Sequence, residues 1–141
     1  MTNDIPRLVL DANIMVSALL GTSFPFLVEL LDQGVELFAA EPQLAETRRT
    51  LSRRSHASED WVEAQMQLLA TVIELVQPDM YERHEAKARL RLRERGQPDW
   101  PVLAASFETE SAIWSHDKDF FGSGAPVWST TMLMRQLEQV N

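Results

Sequence analysis

The feature that most constrains this chain is an alternation of short apolar runs with longer stretches of helical spacing. Arg7-Leu8-Val9-Leu10-Asp11 is almost wholly apolar and ends in an acid. Val35-Glu36-Leu37-Phe38-Ala39, Ala112-Ile113-Trp114-Ser115-His116 and Pro126 to Ser129 also read as strands. Short apolar runs of this kind suit strands buried on both sides of a parallel sheet. Between them, Ala12 to Leu20 is apolar and Gly21 closes it. Phe24 to Gln33 carries apolar residues at 24, 27, 28, 30 and 31, which is helical spacing, with Gly34 as its cap. A helix starts at Glu41-Pro42, carries Leu44 and Leu51, and ends near Arg53-Arg54. Ser58 to Val76 reads as one helix, capped by Ser58 and stopped by Pro78. Its broad apolar face is Trp61, Met66, Leu68, Leu69, Val72, Ile73 and Val76. Asp79 to Arg95, closed by Gly96, reads as another helix, because nearly every residue is a good helix former. There Ala88, Leu90 and Leu92 alternate with Arg89, Arg91, Arg93 and Arg95, a pattern that also fits a strand, so residues 86–95 stay open between the two. Asp99 heads a helix to about Glu110, and Thr130 caps a last helix over Thr131 to Gln139. Strands alternating with helices predict an α/β fold, a parallel sheet with helices on both faces.

The chain has 141 residues, a length that suits one domain. It has no Cys, so disulfides, iron–sulfur clusters and Cys-based zinc sites are excluded. No apolar stretch approaches the ~20 residues that span a bilayer. The polar start MTNDIPR lacks the pattern of a signal peptide, which points to the cytoplasm and no membrane partner. With 13 Lys+Arg against 21 Asp+Glu the net charge is −8, which argues against coating nucleic acid through bulk charge. It leaves room for a nucleic-acid enzyme that carries cations in its site.

Four acids stand out by position. In parallel α/β sheets, sites form beyond the carboxyl ends of the strands. Asp11 and Asp117 follow strands, Asp99 heads a helix, and Glu46 lies one turn into a helix, with Arg49 and Thr50 three and four residues on. Like charges ~5 Å apart repel by roughly 3 kcal/mol at an effective dielectric near 20. A convergent cluster therefore needs protons or cations. Ligands that are all oxygen select hard ions, so Mg²⁺ or Mn²⁺ would occupy it. Spacing alone leaves other uses open: Asp11 and Asp99 as helix N-caps, Glu46 as a solvated helix residue, Asp117 as part of a turn.

Leu8-Val9-Leu10-Asp11-Ala12-Asn13, Glu46 within Pro42-Gln43-Leu44-Ala45-Glu46-Thr47, Asp99-Trp100-Pro101-Val102-Leu103-Ala104-Ala105 and Ser115-His116-Asp117-Lys118-Asp119-Phe120 occur in that order over nearly the whole chain. Together they resemble the PIN-domain ribonucleases, in particular the VapC-like toxins. The resemblance implies a three-layer α/β/α sandwich with a central parallel sheet of four to five strands, residues 1–141 forming one PIN-like domain. It implies a Mg²⁺ or Mn²⁺ cofactor held by Asp11, Glu46, Asp99 and Asp117. Asn13 and Ser115 would orient those carboxylates by hydrogen bonds, and Asp119 ranks below the four. The activity implied is endonucleolytic hydrolysis of RNA by metal-activated water, leaving a 5′-phosphate and a 3′-hydroxyl. The partners implied are RNA, an antitoxin protein and a second copy of the chain; the apolar Phe24–Leu31 and Trp61–Val76 faces could supply surface for that pairing, though core packing suits most of their residues better.

Positive charge for RNA has two sources. One is Arg48, Arg49, Arg53 and Arg54. The other is residues 83 to 95, with six Lys+Arg against Glu85 and Glu94, a net of +4. Trp100, beside Asp99, is a candidate for stacking on a base, though a large aromatic there also suits the core. His56, His84 and His116 show no paired metal spacing; His56 and His84 are expected at the surface, and His116 should point away from Asp117. Two other readings fit less well. A haloacid-dehalogenase-type phosphatase needs an acid where Asn13 stands. A catalytically inactive PIN-like binding module would not need all four acids.

Overall fold

In the computed structural model, which describes residues 4–140, β1 (Leu8–Leu10) leads directly into α1 (Ala12–Leu20), and α2 (Phe24–Asp32) follows. Gly34, at φ +85, lets the chain reverse after α2, a backbone state that favours glycine. Then come β2 (Leu37–Ala40), α3 (Glu41–Ser55), α4 (Glu59–Ala70), β3 (Glu74–Val76) and α5 (Pro78–Tyr81). They are followed by α6 (Glu85–Arg91), α7 (Trp100–Thr109), β4 (Ala112–Trp114), β5 (Val127–Trp128) and α8 (Thr130–Val140). Short 3-10 turns cover Glu82–His84, Glu94–Asp99 and Lys118–Phe120.

The five strands form one parallel sheet in the order β3-β2-β1-β4-β5. Alternation along each strand sends side chains to opposite faces. Leu8, Leu10, Leu37, Ala39, Ala112 and Trp114 join one core with Met15, Leu27, Leu30, Leu51, Val62, Leu69, Leu133 and Leu137. Val9, Phe38, Ala40, Val76 and Ile113 join the other, with Tyr81, Ala88, Leu92 and Val102 to Ala105. Thus α1 to α4 and α8 cover one face and α5 to α7 the other. This is the three-layer α/β/α sandwich.

Two expectations are corrected. Ser58–Val76 is not a single helix: α4 stops at Ala70, and Glu74–Val76 is an edge strand. Val72, Ile73 and Val76 extend the apolar spacing of α4, but they are β-branched and suit a pleated surface better than a helix. Within α4 the buried residues are Val62 and Leu69, while Leu68 stays 42% exposed. Nor is Asp79–Arg95 one helix. The chain passes from α5 through a 3-10 turn into α6 and becomes extended at Leu92, with φ −102 and ψ 141. Residues 86–91 are therefore helical, and 92–95 are neither the rest of that helix nor a strand of the sheet. Gly96 lies buried inside the second 3-10 turn rather than capping a helix.

Candidate metal centre

The sheet order reverses between β1 and β4. The chain lays β2 and β3 on one side of β1 and β4 and β5 on the other. Such a switch point opens a crevice at the carboxyl edge. Asp11 follows β1 directly. The register Leu10↔Trp114 sets Ser115, the residue after β4, beside it. Asp117 lies two residues further on. α3 leaves β2 with no intervening loop, so Glu46, one and a half turns in, stays near the same edge. α7 runs back toward the start of β4, so its first turn, and Asp99 before it, lie at the carboxyl edge too.

The side chains meet there. Ligand oxygens of Asp99, Asp117 and Asp119 lie within 4.8 Å of one another. Asp11 is buried, with one oxygen accepting from the backbone N–H of Ala12 at 2.8 Å and the other from the hydroxyl of Ser115 at 2.8 Å. The Ser115 hydroxyl oxygen in turn accepts the backbone N–H of Asp117 at 2.9 Å. Burial pushes the Asp11 carboxyl above its ordinary range, and the Asp117 charge adds to this. The bonds from Ser115 and Ala12 and the His116 charge oppose it.

Asp99 differs from its neighbours. It occupies the N-cap position of α7, yet its side chain makes no capping bond and finds no hydrogen-bond partner among the described residues. Burial first, and then the charges of Asp11, Asp117, Glu46 and Asp119, push its pKa up to about 6. The capping reading therefore holds for Asp11, which receives the Ala12 N–H, and the turn reading for Asp117, which receives the Asp119 N–H at 2.8 Å. It fails for Asp99. A half-buried carboxylate repelled by four others and joined to no cation fits a divalent ion. The all-oxygen donor set suits Mg²⁺ or Mn²⁺.

Other expected residues fall elsewhere. Asn13 is exposed and its side chain makes no hydrogen bond among the described residues, so the orienting bond expected of it is not seen. Asp119 is held by Arg95, whose Nε and Nη2 both donate to one of its oxygens, at 3.2 and 2.8 Å. The arginines of α3 do not form one patch. Arg48 pairs with Glu63 at 2.6 Å beside an apolar groove of about 330 Å³ between α3 and α4. Arg49, Thr50 and Arg53 share the helical face of Glu46 by spacing, Arg53 bonding Thr50 at 3.3 Å, while Arg54 lies a residue further round. Trp100 is half-buried, its ring edge-on to Tyr81 and beneath Arg89, which favours packing over stacking on a base. His56 is exposed, His84 pairs with Glu108 at 2.9 Å, and His116 turns to Thr130 at 3.1 Å.

Sequence reasoning counted Arg95 in the basic 83–95 stretch but missed its pairing with Asp119, and it missed Gln97 altogether. The Gln97 amide donates to the carbonyls of Arg89 and Leu92, drawing the Glu94–Asp99 turn against the end of α6. No sequence signal marks either contact, since both are made across loops.

The PIN domain family model matches residues 9–138 of the chain. The chain belongs to the PIN domain family. Solved structures share its fold at low identity. A chain in the crystal structure of VapBC2 from Rickettsia felis bound to a DNA fragment from their promoter is 15% identical, with a TM-score of 0.69. That match covers 86% of this PIN domain's chain and 97% of the other. PAE2754 from Pyrobaculum aerophilum is 14% identical with a TM-score of 0.63, covering 94% and 96% of the two chains. No curated protein matches the sequence significantly. Among the described residues of this PIN domain, no single helix is long and apolar enough to cross a membrane.

Proposed function

We propose that this PIN domain is a divalent-cation-dependent endoribonuclease, the toxin of a toxin–antitoxin pair. The observation that carries the reading is Asp99: half-buried, without a hydrogen-bond partner among the described residues, and repelled by every other acid of the cluster. Asp11, Asp99 and Asp117 would hold the ion, and Glu46 would complete its shell from α3. A divalent ion in such a shell activates water and neutralises charge that develops on a scissile phosphate. Ser115 keeps Asp11 in one orientation and ties it to the backbone of Asp117. An ion held there would keep the Asp99 carboxylate ionised. No side-chain nucleophile is required.

Family membership supports nuclease chemistry. The likeness to VapBC2, a complex on its promoter DNA, supports an antitoxin as protein partner. Pairing with a second copy belongs to the same reading; Val28 and Leu31 on α2 and Leu68 on α4 leave 37–42% of their surface open.

The test is cleavage of a single-stranded RNA by wild type and Asp11→Asn, in EDTA and with Mn²⁺ restored. Wild type with Mn²⁺ should cut, leaving 5′-phosphate ends, and the other three combinations should be silent. Cleavage in EDTA, or by Asp11→Asn at the wild-type rate, overturns the reading.

A further inference from the structure

Arg95 carries the inference. Its guanidinium is the one cation ion-paired, among the described residues, to any of the five acids at the carboxyl edge. The other ion-paired arginines among the described residues are answered by acids outside that group: Arg7 by Glu36, Arg48 by Glu63, Arg83 by Glu108 and Arg89 by Glu85. The two halves of the Arg95–Asp119 pair are unequal. The Asp119 side chain is only 11% exposed, whereas that of Arg95 is 83% exposed. The anchor is fixed twice. The Asp119 backbone N–H donates to Asp117, and Gly96 lies so close that an added Cβ would sit 3.1 Å from the Asp119 Cβ. Arg95 spends two of its five N–H donors on a single Asp119 oxygen, which leaves three pointing to water. An exposed fork with three free donors, one carboxylate away from the cluster, has the shape and charge to take a phosphate.

We propose that Arg95 binds a phosphate of single-stranded RNA next to the scissile one, and that Asp119 is a positioning residue that aims Arg95 rather than a ligand of the cation. This rests on the ribonuclease reading above. It gives the acidic chain a fixed cation where the approaching substrate needs one. It also explains why an acid so close to Asp99 and Asp117 is already committed to a guanidinium.

The full chain is tested by fluorescence anisotropy with a fluorescein-labelled single-stranded RNA in Ca²⁺, from 50 to 200 mM salt. Mn²⁺ binding without RNA is measured by calorimetry. Arg95→Ala should weaken RNA binding about tenfold and lower the salt slope by about 0.7, the loss of one phosphate contact on a single strand. Arg95→Lys should recover part of the affinity. Asp119→Asn should weaken RNA binding like Arg95→Ala, yet cost nothing further in the Arg95→Ala background. Mn²⁺ affinity should change less than twofold in each variant. Should Arg95→Ala melt early, Arg95→Gln keeps the stem and is read in its place. Unchanged RNA affinity in Arg95→Ala overturns the proposal while wild-type cleavage leaves the nuclease reading standing. A tenfold loss of Mn²⁺ affinity in Asp119→Asn overturns it too, by placing Asp119 on the ion. Absence of both RNA binding and cleavage in wild type overturns both.

Discussion

The hydroxyl of Ser115 donates to Asp11 at 2.8 Å while its oxygen accepts the backbone N–H of Asp117 at 2.9 Å, so one side chain links the ends of β1 and β4. Ser115 is buried, so its removal leaves an unmatched N–H and releases one Asp11 oxygen. Ser115→Ala should cost about 1–2 kcal/mol of stability. It should also lower cleavage 10- to 100-fold, as loss of a partner that orients a ligand does. Urea unfolding and initial cleavage rates read the two effects separately.

Asp99→Asn should stabilise the metal-free protein. The shift to about 6 corresponds to roughly 3 kcal/mol at most, and screening of a half-buried group reduces this to about 1 kcal/mol. A rise of about 2–6 °C in Tm is expected. Mn²⁺ should stabilise wild type and leave Asp99→Asn unmoved. A fall in metal-free Tm would instead give Asp99 a structural role.

The same shift fixes a pH dependence. Asp99 has a higher proton affinity folded than unfolded, so its favourable contribution is full below about 3.8 and is lost as pH rises through about 6. Metal-free wild type should therefore lose stability, relative to Asp99→Asn, as pH rises from about 4 to about 6, with little further change above that. Mn²⁺ affinity should run the other way, strengthening as pH rises to about 6 and levelling off above it, because the ion competes with the proton. Thermal melts and calorimetry across that range check both.

Leu103 is fully buried in α7, the helix that Asp99 heads, and its neighbours in the core include Val9 and Ile113 of β1 and β4. Leu103→Ala should cost about 2–5 kcal/mol. Denaturant unfolding should show the midpoint falling with no change in slope.

The elements that were legible in the sequence are those with simple surroundings. β1 and β4 are buried on both faces and read as continuous apolar runs. β3 was not legible, because an edge strand buries little: Glu74 and Leu75 are exposed and only Val76 is buried, so three residues merged into the apolar spacing of α4. The break at Leu92 was hidden because Gln97, five residues later, satisfies the carbonyls that the end of α6 leaves open. At the site, Asp11, Asp99 and Asp117 were legible from their places at element ends. The commitment of Asp119 to Arg95 was not, since the two lie 24 residues apart and meet only through folded loops.

The convergence of acids on one cation is tested most directly by Mn²⁺ anomalous scattering from crystals held near pH 7.5. A single strong peak in contact with oxygens of Asp11, Asp99 and Asp117 is the predicted result. No peak there, with Mn²⁺ at the crystal surface or nowhere, would contradict the account.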